Sequence, residues 1–362
     1  MKITYLSAEC APFIKVGGLA DVVGALPQKI AQLGAKTDVI LPLCEQIPQE
    51  FKSRTKFLFY DFVQIGNRRD YVGVFHLLRD DVNYYFIDNE HYFKRGGIYG
   101  YSDDAERFSF YAMAALAILP RLDEMPNIIH FNDWQAAIGA VYFQNFRKTD
   151  EKYSQIGTVL NIHNIEFQGD FDFDMLEKIF GIDENYCQIL DYNGRINFVK
   201  AAICLCDEIV TVSENYAKEI LHKRHSYGLH FILRDNKHKL CGITNGIDIG
   251  KYNPALDKKI RHNFDAENFG GKALNKKDLQ ESLNLKIDDR TPIFAMVARL
   301  THQKGIELLK QSLHKILQDD VQIIVLGSGS PDYEEFFRYL QRENPEKMRA
   351  IIDFNEDLAH KI

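Results

Sequence analysis

Lys15-Val16-Gly17-Gly18-Leu19-Ala20-Asp21 follows a short apolar run, Ile3 to Leu6, and leads into Leu19, Val22, Val23, Leu26, Ile30 and Leu33 at helical spacing. A strand, a glycine turn and a helix in that order make the first unit of a parallel α/β sheet. The turn also carries chemistry. Two residues without a Cβ let backbone N–H groups come close to a ligand, the following helix aims its positive end at the same spot, and Lys15 adds a full charge. The stretch reads as an anion pocket, half of a nucleotide-sugar phosphate site. It reads equally as a glycine turn beside a solvated lysine, since such turns are common in α/β proteins. Pro27, lacking its N–H, predicts a kink in the helix.

At 362 residues the chain is too long for one ordinary domain and predicts roughly two. Its 44 basic and 51 acidic side chains leave a net charge of -7, so no generally basic surface is available for nucleic acid. Neutral or small ligands fit better. Met1 to Tyr5 runs straight into strand-like sequence without a basic and then apolar leader, and no apolar stretch is long enough to cross a bilayer. A cytoplasmic protein with no membrane partner is expected. Cys10, Cys44, Cys187, Cys204, Cys206 and Cys241 lack CxxC spacing, which fits reduced, mostly buried thiols.

Strand-like and helical patterns alternate along most of the chain. Lys56 to Ile65, Tyr71 to Leu78 and Asn83 to Asp88 form an aromatic-rich exception and read as a hairpin insertion. A helix follows over about Asp104 to Leu119, then a strand Ile128 to Phe131, a helix from Trp134, and strands Thr158 to Ile162, Ile209 to Val212 and Leu240 to Thr244. Asn245 to Arg290 turns polar and glycine-containing, as a hinge would. A second α/β unit has strands Ile293 to Ala298, Val321 to Leu326 and Ala350 to Asp353, separated by helices Ile306 to Leu317 and about Tyr333 to Arg342. The chain ends at Ile362 in the first turns of another helix, and three strands are few for a doubly wound domain.

Several residues stand where such sheets bind ligands, at the carboxyl ends of strands. Arg299 leaves the first strand of the second unit, and Lys304 precedes the next helix. Together they can grip a diphosphate, Arg by a fork and Lys as a point charge, or simply form a solvated basic loop. Asp133 in His130-Phe131-Asn132-Asp133-Trp134 reads as a site carboxylate or as a helix N-cap. His163 in Asn161-Ile162-His163-Asn164 ends a strand, as a ligand contact or an ordinary hydrogen-bonded histidine. Asn245-Gly246-Ile247-Asp248 is chiefly a turn signal.

Other patterns are weaker. Gly327-Ser328-Gly329, with Asp353 further on, imitates a dinucleotide fingerprint, yet Asp332 holds the place of the third glycine, so a nicotinamide-dependent oxidoreductase is a poor reading. Asp170, Asp172 and Asp174 space carboxylates like a calcium loop, but Met175 stands where that loop needs glycine. Tyr84, Tyr92, Phe93, Tyr99 and Tyr101 cluster as sugar-stacking rings or, more commonly, as core. Neither a GxSxG elbow nor HExxH spacing appears, and no metal is expected.

Taken together, these segments resemble the bacterial glycogen synthases and plant starch synthases. The matching pieces, in the family's order, are Lys15 to Gly24, Tyr99-Gly100 with Asp104-x-Glu106-Arg107-Phe108, His130-x-Asn132-Asp133-Trp134, His163-Asn164, Thr244 to Asp248 and Arg299-x-x-x-x-Lys304-Gly305. The resemblance implies a GT-B α/β fold of two Rossmann-like domains facing a cleft. The domains would be an acceptor-side domain over 1–245, a linker over 246–290, and a partial nucleotide-binding domain over 291–362. It implies a retaining glucosyltransferase that uses ADP-glucose as donor substrate, α-1,4-glucan or glycogen as acceptor, and no cofactor. By the same resemblance, Lys15, Gly18, Asn245, Arg299 and Lys304 bind the donor, His163 and Asp133 join Arg299 and Lys304 in catalysis, and Asp21 and Tyr99 meet the acceptor.

The family also carries a Glu-Pro-Cys-Gly-Leu motif, whose glutamate faces the donor glucose, in βα units beyond the matched segments. That motif is not in this sequence, so a truncated synthase is expected, its second domain incomplete and exposing a sheet edge and apolar surface. The alternative is a catalytically incompetent fragment that only binds glucan or nucleotide.

Overall fold

The computed structural model describes residues 1–173, 175–176 and 186–362. It divides into two units, Met1–Gly246 and Ile247–Ile362. In the first unit the strands are β1 (Lys2–Leu6), β2 (Lys36–Pro42), β3 (Lys56–Ile65), β4 (Arg68–Arg79), β5 (Val82–Asp88), β6 (Ile128–Asn132), β7 (Gly157–Ile162), β8 (Asp170–Asp172), β9 (Asp191–Tyr192), β10 (Arg195–Asn197), β11 (Glu208–Thr211) and β12 (Leu240–Gly242).

Nine of these form one sheet in the order β12, β11, β7, β6, β1, β2, β5, β4, β3. From β12 to β5 every pairing is parallel, with β1 between β2 and β6. β1 is buried along its whole length, as a strand covered on both faces must be. Its lysine is paired: Lys2 Nζ lies 2.7 Å from Asp38 Oδ2 on β2, deep in the sheet.

The segment expected as a hairpin insertion divides in two. β3 and β4 pair antiparallel and β4 pairs antiparallel with β5, but β5 itself runs parallel to β2, from Thr37 opposite Val82 to Pro42 opposite Ile87. Val82, Tyr84, Tyr85, Phe86 and Ile87 are buried, so β5 belongs to the parallel core and only β3 and β4 are an extension of it.

Helix Gly18–Gln32 follows β1, with Pro27 inside it. Pro27 cannot donate to Val23 four residues back, and the freed Val23 carbonyl accepts the Cys10 thiol at 3.5 Å. Helices Asp104–Ala117, Asp133–Ala137, Gly139–Thr149 and Phe198–Leu205 pack on one another against the sheet. The helix expected from Trp134 is thus two helices, broken after Ala137. Asp170 and Asp172, from the rejected calcium pattern, both pair with Arg195 of β10, while Asp174 lies outside the described residues.

The second unit holds a three-stranded parallel sheet, β13 (Ile293–Val297), β14 (Gln322–Leu326) and β15 (Met348–Ile351), with β14 central and fully buried. Helices Gly270–Ser282, Ile306–Ile316, Pro331–Glu343 and Glu356–Lys361 accompany it. The first of these falls inside the stretch expected as a linker. Phe294 and Val297 of β13, an outer strand, are exposed. All six cysteines are free, three of them buried. No helix among the described residues is long and apolar enough to cross a membrane.

Candidate active site

Parallel strands deliver their carboxyl ends to one edge of a sheet, and in the first unit β1, β6 and β7 bring Glu9, Asp133 and His163 to that edge. Glu9 is the hub. Its Oε2 accepts the backbone N–H of Val16 at 2.6 Å and of Gly17 at 2.8 Å, and its Oε1 accepts the Tyr99 hydroxyl at 2.7 Å. One carboxylate therefore holds both the glycine loop and the loop that carries Tyr99. Burial, together with the Glu9 charge, pushes the Tyr99 phenol well above its ordinary range, so it remains a donor.

This corrects part of the anion-pocket reading. The N–H groups of Val16 and Gly17 are engaged by Glu9, and those available to an anion are in the first turn of the helix that begins at Gly18. A Cβ placed on Gly18 would meet nothing within 4 Å, so the approach to that turn is open. Lys15 Nζ lies 2.7 Å from Asp21 Oδ1, both partly exposed; the expected donor-binding lysine and acceptor-binding aspartate form an ion pair in this structure.

Asp133 is not an N-cap. The residue in that position is Asn132, and Asp133 adopts φ +54, a conformation that Asp tolerates better than most residues. The turn points its carboxylate at the next strand's end, where Oδ1 accepts the N–H of His163 at 2.7 Å and of Asn164 at 3.3 Å. Burial pushes the carboxyl up to about 7, against the pull of those two N–H groups, and the nearby Glu9 charge adds to the rise.

His163 is held neutral. Burial lowers its pKa to about 3, with His130 contributing. Asn132 Nδ2 donates to the carbonyls of Leu6 and His130, which leaves its Oδ1 as the acceptor for His163 Nε2 at 3.2 Å. The proton then sits on Nε2, and Nδ1 is an acceptor without a protein partner among the described residues.

Asn245 lies at the exposed end of the unit, its N–H on the Val212 carbonyl, with no hydrogen bond to the Glu9 group among the described residues. In the second unit, Arg299 and Lys304 are exposed and make no side-chain hydrogen bond or ion pair among the described residues. Gly305, at φ +71, turns the chain from Lys304 into helix Ile306–Ile316.

The glycines of the dinucleotide-like pattern have another use. A Cβ on Gly327 would lie 1.9 Å from the Ala298 carbonyl oxygen, and one on Gly329 2.2 Å from that of Leu300. They let the loops after β13 and β14 touch, with the Leu300 N–H on Ser328 and the Ser330 N–H on Leu300. Tyr84, Tyr92 and Phe93 are core, whereas Tyr99 reaches the site. Among the described residues no group of three His, Cys, Asp or Glu side chains could hold a metal ion.

The starch synthase catalytic domain family matches residues 2–235. The chain belongs to the glycogen and starch synthase family of glycosyltransferases. A glycogen synthase of Lactococcus lactis subsp. lactis is 43% identical over 367 residues, covering 100% of this chain and 77% of that protein. One from Clostridium botulinum is 42% identical, with 100% and 76% covered. Among solved structures, the catalytic domain of starch synthase IV from Arabidopsis thaliana, bound to ADP and acarbose, matches with a TM-score of 0.92 at 29% identity, over 99% of this chain and 76% of that one. The fold is therefore GT-B α/β. Within this family member, Glu9 is the residue that sequence reading missed. The signal was an acidic residue just after the first strand, in Ser7-Ala8-Glu9-Cys10, but its three partners become visible only on folding.

Proposed function

We propose that this glycosyltransferase moves glucose from ADP-glucose to the 4-hydroxyl at the non-reducing end of an α-1,4-glucan, with retention of configuration, in glycogen biosynthesis. The observation that carries the reading is the unspent pair Arg299 and Lys304, two exposed cations on one strand-to-helix loop. Breaking the bond between glucose C1 and phosphate leaves positive character on the sugar and adds negative charge to ADP. A guanidinium fork and a fixed ammonium stabilise that charge as it develops.

In the first unit, Lys15 and the helix turn at Gly18 offer a second cationic locus for the donor's phosphates, with Asp21 as the group an anion would displace from Lys15. His163 Nδ1 accepts a hydroxyl of the transferred glucose. Asp133, held beside it, lies near the reacting centre. Asp21 and Tyr99 meet acceptor hydroxyls, and Asn245 contacts the donor. ADP-glucose enters as substrate, and the scheme uses no resident cofactor. Six free thiols support a reducing, cytoplasmic setting.

The test is incorporation of labelled glucose into glycogen from ADP-glucose, with UDP-glucose in parallel. Incorporation from ADP-glucose is expected, and the Arg299→Ala and Lys304→Ala variants should each lose about tenfold or more in kcat/KM for the donor, about 1.4 kcal/mol apiece. An absence of transfer from either donor would overturn the reading.

A further inference from the structure

Two consecutive residues at the end of β6 grip His163 from different sides. Asp133 Oδ1 holds its backbone N–H at 2.7 Å. Asn132, which is 1% exposed, holds its ring, with Oδ1 3.2 Å from Nε2. The main chain and the imidazole are thus both fixed, and Nδ1 is the one polar atom of the ring left to meet something else.

The Asn132 amide has only one orientation open to it. A primary amide can present either its oxygen or its NH2 group to a neighbour, and the other partners decide which. Here the NH2 group donates to the Leu6 carbonyl on β1 at 3.0 Å and to the His130 carbonyl on β6 at 3.2 Å. Both partners can only accept, so turning the amide over would set its oxygen against two others. The amide oxygen is therefore kept toward His163, and an oxygen in that place accepts only if the imidazole proton is on Nε2. His130, the neighbouring ring that acts on His163 by its charge, makes no hydrogen bond at Nδ1 and offers the proton no other place.

The consequence falls on the opposite side of the ring. An imidazole with its proton on Nε2 turns a lone pair outward at Nδ1, the negative end of its dipole; the other tautomer would turn an N–H outward. Glucosyl transfer builds positive character on the sugar, and fixed dipoles help when their sign opposes the charge that develops. Resting on the transfer reaction proposed above, we infer that Asn132 is a positioning residue: it locks His163 in the tautomer that presents a lone pair, not an N–H, to the sugar being transferred. Asn132 does this while tying the ends of β1, β6 and β7 together, so the tautomer is set by the sheet itself.

The tautomer can be read without turnover, from long-range nitrogen–proton NMR spectra of the full chain with isotope-labelled histidines, the His163 signals being those lost in His163→Gln. In the wild type the proton should be on Nε2 and Nδ1 should be bare; a proton on Nδ1 overturns the inference, and this measurement needs no Asn132 variant to fold. Asn132→Leu leaves Nε2 without its acceptor, so the proton should move to Nδ1 in roughly half of the molecules or more, and kcat/KM for ADP-glucose should fall tenfold or more. An unchanged tautomer in that variant would make Asn132 a tie between strands and nothing more. A double-mutant cycle separates the same two roles: added to His163→Ala, Asn132→Leu should cost less than a further twofold in kcat/KM, because it acts through the ring that is gone. A full tenfold loss on that background would overturn the inference. If the wild type transferred no glucose, the reaction proposed above would fail, while the spectra would still decide whether Asn132 sets the tautomer.

Discussion

Asp133 shows how much a single residue can turn on its surroundings. Its carboxyl is raised to about 7 from an ordinary 3.8, so the folded chain binds that proton more tightly than the unfolded one. Its contribution to stability therefore falls as pH rises from about 4 through about 7 and is constant above. His163, lowered to about 3, and His130, lowered to about 4 by burial, act the other way and cost stability as pH falls below about 6.5. Asp133→Asn keeps the side-chain acceptor and tolerates φ +54, so it should be more stable than wild type at pH 8 by about 2 kcal/mol or more, with the gap closing by pH 4. Urea midpoints measured across that range would show it, and superimposable profiles would reject it. Glu9→Gln tests the hub: one of three accepted bonds must meet an NH2 group instead, and about a tenfold loss in kcat/KM with the fold retained is expected from steady-state assays. Wild-type kinetics in that variant would remove Glu9 from the site.

Among the elements, the loops after β13 and β14 depend on missing side chains more than on present ones. Gly327→Ala would push a methyl into the Ala298 carbonyl at φ +155, a conformation L residues avoid, and should destabilise the second unit by about 3 kcal/mol or more. A melt unchanged by the substitution would mean the loops part without cost. Helix Asp104–Ala117 works by a different device. Its buried Arg107 donates to the Tyr92 and Ile98 carbonyls and pairs with Asp104, fastening the segment that leads to Tyr99. Arg107→Met strips those carbonyls of donors and leaves Asp104 unpaired; a loss of about 3 kcal/mol in thermal or chemical denaturation is expected.

At the scale of the whole molecule, the first unit has a core running through all nine strands of its sheet, whereas the second rests on three strands and two smaller clusters. The polar stretch that follows β12 exposes Ile243, Ile247, Ile249 and Leu256. Limited proteolysis should cut there first and release a resistant first unit, and mass spectrometry of the fragments would locate the cut. A single all-or-none digestion would show that the two units do not stand alone.

Periodicity was enough to read the alternating α/β order, the helix after Gly18 and the three strands of the second unit, because buried parallel strands and amphipathic helices must carry those patterns to be stable. Family motifs singled out Lys15, Asp133, His163, Arg299 and Lys304 as candidates. What one dimension could not contain was partnership. β5 looked like part of a hairpin until the sheet paired it with β2, since an apolar aromatic strand has the same pattern in either setting. Asp133 read as a site carboxylate or as a cap until a positive φ turned it toward His163. Local sequence sets which face of an element is apolar; only the close packing of distant segments decides which polar group finds another and which is left to meet a ligand.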